Sequence, residues 1–110
     1  MDWRLSNDGA RLVAQPAGRV DEESWKDFSA RLTAAVHEAV EAKLPLVIDL
    51  SGLEYMTSKG LRVLTMAKSE AKGAIVIHLA APNAAMKRIL AISRYNMLFP
   101  VVDRVDQVGG

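Results

Sequence analysis

The chain has 110 residues, with 14 Lys and Arg against 13 Asp and Glu, two His and no Cys; that is one domain's length, with no disulfide, thiolate metal site or cysteine nucleophile. A formal net charge of +1 with well-mixed signs leaves no basic footprint for nucleic acid, and no apolar run reaches the roughly 18 residues of a membrane span. Half the residues are hydrophobic but only 5% are aromatic, which implies an aliphatic core; Met1-Asp2-Trp3-Arg4 leads into polar residues, so no secretory signal is read and a cytoplasmic location is expected.

Taken in chain order, Trp3 and Leu5 alternate with polar residues as in a half-buried strand. Asn7-Asp8-Gly9 then offers the positive φ of a tight turn, and 11–15 completes a hairpin closed by Pro16 and Gly18. Asp21 or Ser24 can cap the next element, and the acidic Glu22 and Glu23 suit a helix N-terminus. Trp25, Phe28, Leu32, Ala35, Val36, Ala39 and Val40 fall at i, i+3, i+4 spacing, which predicts a long amphipathic helix ending near Lys43, because Pro45 holds Leu44 extended.

Leu46-Val47-Ile48-Asp49-Leu50 and Ala74-Ile75-Val76-Ile77-His78-Leu79 are continuous rather than alternating apolar runs, as in strands covered on both faces of a parallel sheet. A helix over 58–72, with Leu61, Leu64, Ala67 and Ala71 toward the core, makes a right-handed crossover between them. A further helix over 83–93 and a short strand over 101–103 follow. The expected fold is a single α/β domain over 1–106, with a flexible tail at 107–110. Its sheet is mixed and mostly parallel, its helices lie mainly on one face, and the order is ββαβαβαβ.

Chemistry in such a sheet concentrates at the carboxyl ends of the parallel strands. There the chain reads Ser51-Gly52-Leu53-Glu54-Tyr55-Met56-Thr57-Ser58-Lys59-Gly60-Leu61. With Thr57 as N-cap, Met56 and Leu61 form a hydrophobic staple and Ser58 occupies the first helical position with its hydroxyl free. A phosphate on Ser58 would meet unpaired backbone N–H groups and the positive end of the helix dipole, while Gly60 lets another surface come close. A plain helix start is the competing reading. Asp21 and Asp49 are expected at the same rim, as an N-cap and a loop anchor rather than an acid–base pair. Lys59, Arg62, Val63 and Met66 are left off the core stripe and can form an adhesive partner face; equally, Val63 or Met66 can tuck beneath the neighbouring helix. His37 reads as solvated, His78 as a hydrogen-bonded strand residue, and Met56, Met66, Met86 and Met97 as core filler. Two separated histidines, with no phosphate-binding glycine loop and no nucleophile elbow, imply no metal, no cofactor and no catalysis.

The succession of elements, with Val47-Ile48-Asp49-Leu50-Ser51 followed by Met56-Thr57-Ser58-Lys59-Gly60-Leu61, resembles a STAS domain, the fold of bacterial anti-sigma factor antagonists and of the cytoplasmic tails of sulphate transporters. Gly18-Arg19-Val20-Asp21 looks like the family's Gly-Arg-Leu-Asp opening, and Asn96-Met97-Leu98-Phe99-Pro100-Val101-Val102 like the segment entering its last strand. In the antagonist branch this loop typically reads Asp-Ser-Ser-Gly or Asp-Ser-Thr-Gly, and its first hydroxyl residue is phosphorylated by a partner that is both serine kinase and anti-sigma factor. The acceptor falls on Ser58 and the glycine on Gly60, while Thr57 replaces the aspartate and Lys59 the second hydroxyl residue.

The resemblance implies a non-enzymatic, cytoplasmic switch that binds a serine kinase/anti-sigma factor, is switched by phosphorylation at Ser58 and is reset by a phosphatase. Asp21, Asp49, Thr57, Lys59 and Gly60 would surround the acceptor. The altered loop points to an alternative: a constitutive STAS subunit of a larger complex, such as a lipid-transporter accessory or a signalling assembly. A nucleotide-binding domain rests on the helix N-terminus alone. Oligomeric state is not legible in the sequence.

Overall fold

The first hairpin forms as its turn chemistry dictates: Asn7 Oδ1 accepts from the Gly9 amide at 2.8 Å, and Gly9 takes φ +89. The computed structural model describes residues 1–109. Its elements are β1 (Asp2–Asn7), β2 (Leu12–Val20), α1 (Trp25–Ala42), β3 (Leu46–Asp49), β4 (Leu53–Met56), α2 (Ser58–Ala71), β5 (Ile77–Ala80), α3 (Ala84–Ser93) and β6 (Val101–Val102), with 3₁₀ turns at Tyr95–Met97 and Val105–Gln107. The sheet runs β1-β2-β3-β5-β6, with β4 on β2; β1 is antiparallel to β2 and the remaining pairs are parallel. This is the expected mixed, mostly parallel α/β sheet.

The parallel strands carry apolar residues on both faces, as their continuous runs predicted. Leu12, Ala14, Ile48 and Leu79 meet Phe28, Leu32 and Val36 of α1, Leu64 of α2, and Met86 and Leu90 of α3 in one aliphatic core. The other face is thinner: Val47 and Ala80 pack with Val108, flanked by Val102 and Val105. All three helices therefore contribute to the core on one side.

Three expectations need correction. Strand β4 interrupts the crossover between β3 and β5, so the order is ββαββαβαβ. Pro16 and Gly18 do not close β2. That strand pairs with β3 over 12–14, shifts register between Gly18 and Arg19, and pairs with β4 through Val20. Pro16 falls in the gap where β2 changes partner, so its missing N–H breaks no ladder on that side. The tail expected to be flexible from 107 is docked as far as it is described. The Gln107 side chain accepts from the Asp103 and Arg104 amides at 2.9 Å, the Val108 carbonyl accepts from Arg11 Nε at 2.5 Å, and Val108 is buried. Gly110 of that tail lies outside the described residues.

Candidate phospho-acceptor and partner site

Helix α2 starts where β2 and β4 end side by side. Thr57 is extended at φ -81, ψ 175, its amide donates to the Val20 carbonyl at 2.9 Å, and its own carbonyl accepts from Leu61 at 3.1 Å, the first bond of the helix. Its hydroxyl does not cap. Thr57 Oγ1 is buried without a hydrogen-bond partner among the described residues, which corrects the expectation that Thr57 serves as a side-chain cap. The first-turn amides thus remain available, and no acidic residue occupies that turn to compete with an anion.

Ser58 stands at the first helical position, exposed, with no hydrogen bond to its hydroxyl among the described residues. Gly60 explains why the backbone can lie so low here. A Cβ on it would collide with Met56 Cγ and come within 2.8 Å of Val20 Cγ1. The close approach permitted by Gly60 is therefore made by the chain's own β2 and β4 ends, not by a foreign surface. Met56 is buried and Leu61 half-buried against the core, as a staple requires.

Lys59 is drawn sideways toward α1. Its Nζ lies 2.9 Å from Glu22 Oε2 and 5.2 Å from the centroid of the Trp25 ring. Neither partner carries a signal in the local sequence, since they lie more than thirty residues upstream. The two lysine and glutamate side chains are 46% and 70% exposed, so the pair contributes at most about 1 kcal/mol.

Asp21 orders the turn before α1: Oδ1 accepts from the Glu23 amide at 3.0 Å and from the Ser24 amide at 3.2 Å. The Glu23 amide chiefly, with the Ser24 hydroxyl and amide, holds the Asp21 carboxyl below the usual aspartate range despite its desolvation. Asp49 is not part of this rim. It follows Ile48 in a strand and faces the side of the sheet away from the helices, where Oδ1 accepts from the Ser51 amide at 3.0 Å and Oδ2 from Gln15 Nε2 at 3.1 Å. It borders a depression with Asp2, Arg4 and Gln15, whereas Asp21 borders another with Arg19 and Glu54. The loop-anchor reading of Asp49 stands; its place beside Ser58 does not.

Of the partner face, Arg62 and Met66 are exposed along with Lys59, but Val63 is 2% exposed because α1 packs against α2 and widens its buried stripe. Met66 and Met97 are on the surface rather than in the core, in contrast to Met56 and Met86. His37 is solvated and meets Glu70 at 2.6 Å. His78 is half-exposed and its Nδ1 is buried with no hydrogen-bond partner among the described residues, so it is not the satisfied strand residue expected; burial pushes its pKa down, opposed in part by the Val76 backbone. Among the described residues no cluster of three His, Asp or Glu side chains could hold a metal, and no helix is long and apolar enough to cross a membrane.

A mostly parallel sheet with an antiparallel first strand and helices over one face defines an open α/β fold. The family model described as Mlab, STAS domain, matches residues 3–101, and the chain belongs to the STAS domain family. Solved structures of the same fold include an anti-sigma factor antagonist from Mycobacterium paratuberculosis, at TM-score 0.85 and 20% identity over 96% of this chain and 88% of that one. An anti-sigma-factor antagonist (STAS) domain protein from Planctomyces limnophilus gives 0.82 and 19% over 96% and 92%. The Bacillus cell fate determinant SpoIIAA in its phosphorylated form gives 0.65 and 17% over 91% and 90%. Likeness at these identities establishes the fold. No curated protein matches the sequence.

Proposed function

We propose that the chain is a non-enzymatic, cytoplasmic regulatory module that binds a serine kinase/anti-sigma factor in the manner of an anti-sigma factor antagonist and is switched by phosphorylation at Ser58. The observation that carries this reading is the exposed, unengaged Ser58 hydroxyl on a helix start whose N-cap side chain leaves the first-turn amides uncapped. Kinase access needs the first feature, and phosphate tolerance in the free protein needs the second. The fold shared with anti-sigma factor antagonists, one of them named as phosphorylated, supports the assignment.

Phosphorylation adds roughly −1.5 to −2 charges, which takes the net +1 to about zero or below. Against a partner carboxylate about 6 Å away, at an effective dielectric near 20, a unit charge is repelled by about 3 kcal/mol before salt screening. That is enough to weaken a complex by one to two orders of magnitude. Lys59, Arg62 and Met66 form the neighbouring contact surface, and a phosphatase restores the binding form. The test is mass spectrometry after incubation with the cell's serine kinase/anti-sigma factor and ATP. Phosphate on Ser58, absent in Ser58→Ala, is expected; an unmodified Ser58 under conditions that label a control antagonist rejects the switch.

A second reading has its own observation. Lys59 is tied to Glu22 and Trp25 at the position where the antagonist pattern has a hydroxyl residue, and Thr57 replaces the aspartate. A constitutive STAS subunit, whether a lipid-transporter accessory or part of a signalling assembly, would need no acceptor chemistry. It requires that Ser58→Asp leave partner affinity unchanged.

A further inference from the structure

Cations and acids are unevenly spread along the chain. Residues 71–102 hold Lys72, Lys87, Arg88 and Arg94 but no Asp or Glu, and none of these four forms an ion pair among the described residues. The same stretch carries most of the large apolar side chains on the surface, including Ile92 at 78% and Met97 at 82% exposure, with Val76, Leu98 and Val101.

These features meet at one end of the molecule. Strands β5 and β6 are parallel with Leu79 opposite Val101, so Val76, just before β5, and Leu98, before β6, reach the same rim. Helices α2 and α3 run back toward that rim and bring Lys72, Ile92 and Arg94 to it. Arg88 and Ile92 are four residues apart and share one stripe of α3. Between α2 and the loop after α3 is a depression of about 330 Å³, bordered by Lys68, Ile75, Val76, Leu98, Phe99 and Pro100. Its wall is fixed by Lys68, whose Nζ donates to the Leu98 carbonyl at 2.8 Å and lies 5.6 Å from the Phe99 ring centroid.

Single exposed apolar residues mean little, but an apolar cluster beside a concavity and unpaired cations is a docking surface. We infer that this end binds an acidic amphipathic helix or strand of a partner protein, with an apolar side chain seated in the Lys68–Phe99 depression and carboxylates facing Arg88, Arg94 and Lys72. Charge complementarity selects an anionic partner: residues 71–102 contribute four cations and no acid to this end, and Glu41 and Glu70 border only the separate depression on the far side of Lys72. The concavity selects a side chain over a flat lipid surface. Helix α2 has 14 residues, so this surface lies about 20 Å from Ser58 along its axis, and its occupancy is independent of the phospho-switch.

Two synthetic peptides test this, with the same leucines at i, i+3, i+4, i+7 and either Glu or Lys between them, titrated into the isotope-labelled chain by NMR. The Glu peptide is expected to shift the amides of Val76, 92–99 and Val101. Its affinity should fall about tenfold in Arg94→Asn, which tolerates left-handed φ, and in Met97→Asp. Both variants should melt like the parent, and Ser58→Asp should bind as the parent does. Equal binding of the Lys peptide, shifts centred on Ser58, or no shift at about 1 mM peptide would overturn the inference. So would phosphatidylglycerol vesicles that retain the parent but not Met97→Asp while the Glu peptide fails, since they would assign the surface to lipid.

Discussion

The two ends of α2 are built on opposite plans. At its start the backbone is pressed onto the ends of β2 and β4, with a glycine where no side chain fits and a threonine hydroxyl sealed in with no partner among the described residues. At its finish Lys72 turns the chain in the left-handed region at φ 51, followed by Gly73 at φ 76, with open space around that glycine. The tight end fixes a small hydroxyl against a set of backbone dipoles, which suits a site that reads a single added charge. The loose end projects long side chains and leaves a depression, which suits a broad contact. Between them Val63, Leu64 and Ala67 tie the helix to α1 and the sheet, so the two ends share a rigid rod.

Substitutions should separate the two plans. The largest effect is expected from Gly60→Ala, which forces Met56 and Val20 apart and should cost about 1–3 kcal/mol in urea unfolding; a neutral result would mean that the start of α2 is not tightly seated. At the other end Lys72→Gly should act with the opposite sign, raising stability by up to about 1 kcal/mol because glycine takes left-handed φ without strain. A loss there would show that the Lys72 side chain holds the turn. Thr57→Val removes the buried, unpartnered hydroxyl and should be neutral to about 1 kcal/mol stabilising. A loss of about 0.5–2 kcal/mol would instead reveal a functioning cap.

The smallest effect lies away from both ends. The fold lowers the His78 pKa from 6.5 by burial, so below that value the unfolded chain binds more protons than the native one. Stability should therefore fall as pH drops through about 6.5, and the decline should end once the folded pKa is passed. His78→Gln should flatten that decline; an unchanged pH profile in the variant would place its cause elsewhere.

The same contrast explains what could be read from sequence. Helix α1 was legible because eighteen residues repeat one apolar stripe, and the start of α2 because Thr57, Ser58 and Gly60 fall within one short run after a strand and its loop. Strand β4 was not legible: Leu53 and Met56 are buried while Glu54 and Tyr55 both face out, so its four residues show no alternation. Its existence depends on the second half of β2, which Pro16 disguised as a turn. Val63 was left open between a partner face and a place beneath the neighbouring helix, because one helix's periodicity does not reveal a second helix lying across it; the structure buries it. Asp49 was misplaced because position at a strand end does not determine the face, and the Lys59 contacts with Glu22 and Trp25 are purely tertiary.

If Ser58 is a charge-sensitive contact point, its phosphorylation must change partner affinity. Isothermal titration of one serine kinase/anti-sigma factor with the unmodified chain, with the chain phosphorylated at Ser58 and with Ser58→Ala addresses it directly. The unmodified chain and Ser58→Ala should bind alike and the phosphorylated chain about tenfold to a hundredfold more weakly. Equal affinity of the phosphorylated and unmodified forms would contradict it.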